Sequence, residues 1–159
     1  MKVISNSSPL IVLYNCGRLE ILQQLFGQVL IPEAVYQEVV HNTKNRLQSE
    51  AIAYSNFIHV HPTPQQAFSF SHKLDRGEIE ALILASSLKA DYLLLDDKRA
   101  QKEAKLQGIT FIPTFAVLLK AAQKRIIADF DAVLTELQQK NIFLSRDLDL
   151  AAKSFLDLG

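Results

Sequence analysis

The segment Val3-Ile4-Ser5-Asn6-Ser7-Ser8-Pro9-Leu10-Ile11 contains a short strand, a polar turn and the start of a helix. Val3 and Ile4 are β-branched and apolar, which favours a buried strand. Ser8 can cap an early helical N–H, and Pro9 lacks a donor that the first turn would leave unpaired. We therefore expect the helix to begin at this pair. Because ligand sites in open α/β sheets follow the carboxyl ends of strands, Asn6 is the first candidate site residue.

Apolar runs and helical repeats alternate along the rest of the sequence. Strands are expected at 29–31, 57–61, 91–95 and 109–112. Helices are expected at 9–16, 18–26, 33–41, 46–54, 74–88, 98–107, 113–123, 129–140 and 148–158. This alternation predicts an α/β fold with three α/β/α layers and a mainly parallel five-stranded sheet. Functional side chains are then expected at the carboxyl ends of the strands.

The composition is that of one globular domain of 159 residues, with 48% hydrophobic and 21% charged residues. Seventeen basic and seventeen acidic residues give a net charge of zero, which excludes the bulk basic surface of a non-specific nucleic-acid binder. A local basic patch remains compatible with this balance. A single cysteine and the lack of a signal peptide or a bilayer-length apolar run predict a cytoplasmic protein without membrane contact.

The helix predicted at 74–88 begins with three acidic residues. Asp75 and Glu78 have the spacing of a capping box, which accounts for both as structural residues. Glu80 is followed one turn later by Ile83 and Leu84, and a carboxylate on an apolar face is costly unless a cation or donors meet it. A bound metal ion is the favoured explanation for Glu80. Pairing with Arg76, one turn earlier, or an exposed position is the alternative.

Three further acidic residues need an explanation. Asp96 and Asp97 directly follow a buried parallel strand, and a divalent cation would relieve their mutual repulsion. One of them can also cap the helix that starts near Lys98, and the two roles are compatible because there are two aspartates. Glu38 is ambiguous, because the helix predicted at 33–41 has apolar residues on more than one side.

Together these features make the chain resemble a PIN domain, the nuclease fold of many toxin–antitoxin toxins and RNA-processing enzymes. The resemblance covers about residues 2–124, and it is stronger still toward a prokaryotic branch of the family that is predicted to bind nucleic acid. Its motifs are Val3-Ile4-Ser5-Asn6-Ser7-Ser8-Pro9-Leu10-Ile11, Ile31-Pro32-Glu33-Ala34-Val35-Tyr36-Gln37-Glu38-Val39, Leu74-Asp75-Arg76-Gly77-Glu78-Ile79-Glu80-Ala81-Leu82 and Leu93-Leu94-Leu95-Asp96-Asp97-Lys98-Arg99.

The resemblance implies a metal-dependent endoribonuclease that cuts single-stranded RNA. The family's acidic positions fall on Asn6, Glu38, Glu80 and Asp97, which become the predicted catalytic residues. Asn6, Glu80, Asp96 and Asp97 become the predicted ligands of Mg²⁺ or Mn²⁺, since such ions prefer oxygen ligands and activate bound water. The predicted RNA contacts are Ser8, Lys98, Arg99 and Lys102. The departure is Asn6, which offers an oxygen to a metal but no negative charge.

Three functions remain open at this point. The favoured one is the ribonuclease, as the toxin of a type II toxin–antitoxin pair, with an antitoxin protein as partner and a homodimer as assembly. The second is a PIN-like module that binds RNA or a protein partner without cutting, which Asn6 and the zero net charge favour. The third is another α/β function, such as a phosphotransfer domain with a cation. We expect a PIN-like core at 1–124 and a helical extension at 125–159 packed on the same domain.

Overall fold

The computed structural model describes residues 1–66 and 69–158. Gly159, the last residue of the predicted extension, lies outside the described residues. The strands form one five-stranded sheet in which every neighbouring pair is parallel. The predicted α/β fold is thereby confirmed, with a fully parallel sheet. In chain order the strands are β1 Val3–Ser5, β2 Val29–Ile31, β3 Ile58–Val60, β4 Tyr92–Leu94 and β5 Phe111–Ile112.

The helices lie on both sides of this sheet, and their order follows the predicted one. Their bounds are α1 Ser7–Asn15, α2 Ile21–Phe26, α3 Glu33–Tyr36, α4 Arg46–Ala53, α5 Arg76–Leu88, α6 Lys98–Leu106, α7 Thr114–Gln123, α8 Phe130–Gln139 and α9 Leu150–Asp157. The segment predicted as one helix at 33–41 is the exception. It starts as α3 and continues as a wide π-helical turn, Gln37–His41.

The first helix begins earlier than its sequence predicts. Asn6 is the N-cap residue, with an extended backbone at φ −78° and ψ 178°, and α1 starts at Ser7. The expected cap at Ser8 is therefore wrong, and Pro9 occupies the third helical position. Proline is tolerated there because the first four N–H groups of a helix have no intrahelical partner. The shift places Asn6, rather than Ser8, directly at the junction of strand and helix.

Two hydrophobic layers cover the two faces of the sheet. Because strand side chains alternate between faces, Val3 joins the larger layer and Ile4 the smaller one. The smaller layer includes buried alanines of α6, Ala100 and Ala104, and the larger one includes Val133 of α8 and Phe155 of α9. This double cover explains the continuous apolar runs of the strands.

The strand order is β3-β2-β1-β4-β5, so the connections reverse direction at β1. The chain moves from β1 outward to β2 and β3, then returns to β4 on the other side of β1. Such a switch point leaves a crevice at the carboxyl ends of the two strands, where ligands bind in open α/β sheets. Asn6 follows β1 at this edge, and Asp96 and Asp97 follow β4.

The segment beyond residue 124 packs on the rest of the chain. Helix α8 contacts α7, and α9 contacts α7 and β5. The buried ammonium of Lys120 on α7 donates hydrogen bonds to the backbone oxygens of Phe155, 2.9 Å away, and of Leu158. Burial lowers the pKa of this lysine. The division at residue 124 stays a prediction.

No helix in the described part of the chain combines the length and the hydropathy that a bilayer crossing requires.

Candidate functional site

A cavity of about 390 Å³ opens at the switch point of the sheet. Its walls contain mostly acidic and hydroxyl side chains, with one amide. The lining residues are Asn6, Ser7, Ser8, Ile11, Glu38, Asp75, Glu78, Asp96 and Asp97. Five of the predicted site residues therefore meet in one place, namely Asn6, Ser8, Glu38, Asp96 and Asp97. We call this the acidic cavity.

Asn6 lies at the floor of the acidic cavity. Its backbone N–H donates to the oxygen of Leu94 at 3.0 Å, which fixes the end of β1 against β4. The residue is 6% exposed, and its Oδ1 atom is fully buried without a hydrogen-bond partner among the described residues. A buried carbonyl oxygen without a partner is costly. A cation or donor in the cavity would satisfy this atom.

Glu38 reaches the acidic cavity from the π-helical turn. The wider turn changes the direction in which side chains leave the helix, and such turns are frequent at functional sites. Its Oε2 accepts a hydrogen bond from the Ser7 hydroxyl at the start of α1. The ambiguity of Glu38 in the sequence is thus resolved in favour of the cavity, and Ser7 is a contact that the sequence did not indicate.

Glu78 is the acidic residue whose position the sequence argument missed. The capping box is confirmed: Asp75 Oδ1 accepts from the Glu78 N–H at 2.8 Å, and Glu78 Oε1 accepts from the Asp75 N–H at 2.9 Å. The capping bond uses only Oε1 of Glu78, so the second carboxylate oxygen, Oε2, remains available for another contact. The side chain is 7% exposed, and burial, together with the charges of Asp75 and Asp97, raises its pKa to about 7.

The two aspartates after β4 have different hydrogen-bond partners. Asp97 caps α6, with Oδ1 accepting from the Ala100 N–H at 2.9 Å. Asp96 accepts from the Thr114 N–H at 2.7 Å and from the hydroxyls of Thr114 and Ser8, at 2.6 and 2.9 Å. Both Asp96 oxygens are therefore used to hold α7 and α1 in place. Asp97 keeps one oxygen that no capping bond uses.

Glu80 lies away from the acidic cavity. It lines a neighbouring depression of about 560 Å³ together with Arg76, Glu33 and Ile83. Its Oε2 pairs with the Arg76 guanidinium at 2.9 Å, and its Oε1 accepts from the Ala34 N–H at 3.1 Å. The structure does not bring Glu80 together with Asn6 and Asp97. Its carboxylate is satisfied by the alternative noted from the sequence, pairing with Arg76.

The sequence contained a signal that separates Glu78 from Glu80. Residues two apart on an α-helix point about 200° apart, so both side chains cannot face one cavity. The sequence therefore excludes a site that contains both side chains. The choice between them required the position of α5 relative to β1 and β4.

The surroundings of Gly77 show how closely the oxygens of the acidic cavity approach the backbone. A Cβ added to Gly77 would lie 3.1 Å from Glu38 Oε2, 3.5 Å from Asp75 Oδ1 and 3.6 Å from Asn6 Oδ1. Three side chains from different elements thus direct oxygens at one point beside α5. Only a residue without a side chain leaves that space open.

The donor set of the acidic cavity suits a hard divalent cation. Carboxylate and amide oxygens are its ligands of choice, and among the described residues no lysine or arginine lines the cavity to neutralise the carboxylates. Within residues 1–66 and 69–158, however, no three histidine, cysteine, aspartate or glutamate side chains form a ready-made metal centre. Glu38, Glu78 and Asp97 each accept a hydrogen bond from a hydroxyl or a backbone N–H of the protein. The unpartnered Asn6 oxygen and the open space at Gly77 are the observations that fit an ion.

The predicted RNA-binding cations lie on the outer face of α6. Lys98, Arg99 and Lys102 are all exposed, directly after the Asp97 cap. Lys98 pairs with Asp147 at 3.3 Å, between exposed side chains. Such exposed pairs are weak, so Lys98 remains available to a phosphate.

Residues 2–155 match the family model described as DUF3368, a PIN domain. Among solved structures, the chain is similar to a PilT N-terminus domain protein from the hyperthermophilic archaeon Sulfolobus solfataricus P2. The TM-score is 0.54 at 17% sequence identity, and the match covers 76% of this chain and 93% of that chain. At this identity the likeness concerns the fold alone. No curated protein matches.

Proposed function

Because the chain belongs to the PIN-domain family, as its motifs predicted, and therefore has a nuclease-type fold, we propose that it is a divalent-metal-dependent endoribonuclease acting on single-stranded RNA. PIN domains generally use divalent metals, and the family suggests nucleic-acid binding. The metal, the substrate and the cutting reaction are proposals for this chain.

The observation that carries the proposal is the buried Asn6 Oδ1 atom, without a partner among the described residues, on the floor of an acidic cavity. Glu38, Glu78 and Asp97 line the same cavity from three other elements. This gathering of negative charge is unfavourable without a counter-charge. A hard cation is the ligand that such a cavity selects.

In the proposed site Asn6, Glu38, Glu78 and Asp97 would hold the ion, and Glu78 replaces Glu80 in the predicted set. When bound there, Mg²⁺ or Mn²⁺ would supply a water of lowered pKa and stabilise negative charge on the phosphate. The chain's own residues supply the orientation: Ser7 fixes the Glu38 carboxylate, and the Asp75 N–H fixes that of Glu78. The backbone N–H groups of Ser7 and Ser8, in the first turn of α1, are proposed to donate to a phosphate of the strand.

Asp96 has a positioning role in this scheme. Its two oxygens accept from Thr114 and Ser8, so it fixes α7 and α1 around the cavity. Lys98, Arg99 and Lys102 are exposed on α6, the helix that Asp97 caps, and are proposed to contact phosphates of the strand. The zero net charge of the chain makes such a local patch the main electrostatic attraction.

A second candidate function is a PIN-like module that binds RNA or a protein without cutting. Two observations favour it: Asn6 brings no charge to the ion, and the described residues hold no complete set of three charged ligands. A toxin role, an antitoxin partner and a homodimer belong to the first proposal, and their support is the sequence resemblance.

The test is cleavage of a single-stranded oligoribonucleotide by the purified chain with Mn²⁺, with Mg²⁺ and with EDTA. We expect cleavage that needs the ion and falls about 100-fold or more in Asp97→Asn, since asparagine still caps α6 but removes the charge. Asp131→Asn, on the exposed first turn of α8, is the matched control and keeps full activity. Metal-independent cleavage, or cleavage unaffected by Asp97→Asn, would refute the proposed site. RNA binding without any cleavage would favour the second candidate.

A further inference from the structure

A second cavity, of about 240 Å³, adjoins the acidic cavity. The two cavities share Ser8 and Asp96 as lining residues. The second one continues past the end of β4 toward the segment between α8 and α9. Its other lining residues are Val12, Lys98, Gln101, Pro113, Ile142, Phe143, Leu144 and Ser145. We call it the side cavity.

The walls of the side cavity combine apolar surfaces with a polar edge. Val12 and Pro113 are buried apolar residues, and Lys98 and Ser145 are exposed polar ones. A nucleobase has the same character, because its faces are apolar and its edges donate and accept hydrogen bonds. Among the described residues that line the side cavity, the shared Asp96 is the one carboxylate.

Phe143 forms an exposed aromatic wall of the side cavity. It is 72% exposed, while its neighbours Ile142 and Leu144 pack against the hydrophobic core. The segment 141–149 is anchored by Ile142, whose N–H donates to the backbone oxygen of Leu137 at 2.9 Å, and by the Arg146 guanidinium, which lies 5.8 Å from the centre of the Phe115 ring. A single exposed apolar residue needs no explanation by itself. An aromatic ring beside a cavity that continues into the candidate active site does need an explanation.

We propose that Phe143 is a stacking platform for one unpaired base of the RNA strand whose phosphate occupies the acidic cavity. The proposal rests on the proposed function and adds a substrate-positioning residue from outside the predicted core. Stacking on an aromatic side chain is sequence-tolerant, because every base has a π face. The platform would therefore select single-stranded over paired nucleic acid, in which the bases already stack on each other.

The sequence offers a direct probe, because the chain contains no tryptophan. Phe143→Trp keeps an aromatic platform and places a single indole beside the side cavity. The matched control is Tyr54→Trp. Tyr54 is 83% exposed and precedes the amino end of β3, whereas the acidic cavity lies at the carboxyl ends of β1 and β4. Short oligouridylate is titrated in Ca²⁺, which also takes oxygen ligands, and a gel confirms that the strand stays intact.

We expect the oligonucleotide to quench the indole emission of Phe143→Trp at saturation and to leave that of Tyr54→Trp unchanged. Binding measured by anisotropy of a labelled strand should weaken about tenfold in Phe143→Ala and remain near wild type in Phe143→Tyr and Tyr54→Ala. Circular dichroism of each variant shows that the fold is kept.

The outcomes separate this proposal from the proposed function. Binding of the oligonucleotide without quenching, and with unchanged affinity in Phe143→Ala, overturns the platform and leaves the ribonuclease proposal standing. No binding by any variant, wild type included, overturns both. A wild-type dimer that becomes a monomer in Phe143→Ala, measured by analytical ultracentrifugation, would assign Phe143 to an interface between copies of the chain and also overturn the platform.

Discussion

Glu78 and Glu80 lie two residues apart on α5 and have opposite environments. Glu78 is buried in the acidic cavity, where burial and neighbouring carboxylates raise its pKa to about 7. Glu80 faces the neighbouring depression, paired with Arg76 and with the Ala34 N–H. The glutamate that belongs to a capping box is thus the one that lies among other carboxylates. A local hydrogen-bond role therefore does not exclude a role in a site.

The largest expected effect separates these two glutamates directly. Glu78→Gln keeps an acceptor for the Asp75 N–H but removes the charge, so metal-dependent cleavage should fall about 100-fold or more. Glu80→Gln keeps an acceptor for the Ala34 N–H and loses only an ion pair with a largely exposed guanidinium, so cleavage should stay within about threefold. Cleavage rates with Mn²⁺ at saturating RNA measure the effect of each substitution. The reverse order would restore Glu80 as the metal ligand.

A second prediction concerns the open space beside Glu78. Gly77→Ala places a Cβ about 3.1 Å from Glu38 Oε2, so that carboxylate must move. We expect the affinity for Mn²⁺, measured as a rise in melting temperature, to weaken about tenfold. The free energy of unfolding without metal should change by no more than about 1 kcal/mol, because alanine is the better helix former. An unchanged Mn²⁺ affinity would show that the Glu38 and Asn6 oxygens beside Gly77 do not hold the ion.

A third prediction tests the missing charge at the floor of the cavity. Asn6→Asp adds a carboxylate to a site that is already acidic, so the metal-free protein should be destabilised by about 1–3 kcal/mol. The same charge should strengthen Mn²⁺ binding about fivefold, since ligand charge sets the affinity for hard cations. Chemical denaturation with EDTA and with Mn²⁺ measures both. A loss of stability that Mn²⁺ does not offset would argue against Asn6 as a ligand.

A fourth prediction is a pH dependence of the metal-free protein. The pKa of Glu78 is about 7 in the folded state against an ordinary value of 4.5, so the folded chain binds the proton more tightly than the unfolded chain. The stabilisation is complete below about pH 4.5 and disappears as the pH rises through about 7, so the free energy of unfolding should fall across this window. Denaturation at several pH values measures it.

Glu78→Gln is the control for this pH dependence, because glutamine does not titrate. In this variant the free energy of unfolding should fall less between about pH 4.5 and 7, because residue 78 no longer releases a proton. An identical pH profile in wild type and Glu78→Gln would contradict the raised pKa. Mn²⁺ should also flatten the wild-type profile, since a bound cation favours the charged carboxylate.

The order and type of the elements could be predicted because their signals are local. Val3 and Ile4 mark a buried strand, and Asp75 with Glu78 marks a helix start, through residues close together in the sequence. The start of α1 differs from the predicted one: Ser8-Pro9 is a good helix opening by itself, but Asn6, whose N–H donates to the oxygen of Leu94, already caps the helix. A contact between two strands thus overrode a local preference.

The fold, and the set of acidic residues from which a site could be built, follow from the sequence alone. Tertiary structure decided which of these residues meet. The π-helical turn directs Glu38 into the cavity, Thr114 and Ser8 engage Asp96, and the position of α5 turns Glu78 inward and Glu80 outward. These outcomes depend on strand order and on contacts between residues far apart in the chain, which hydrophobic periodicity and capping motifs do not encode.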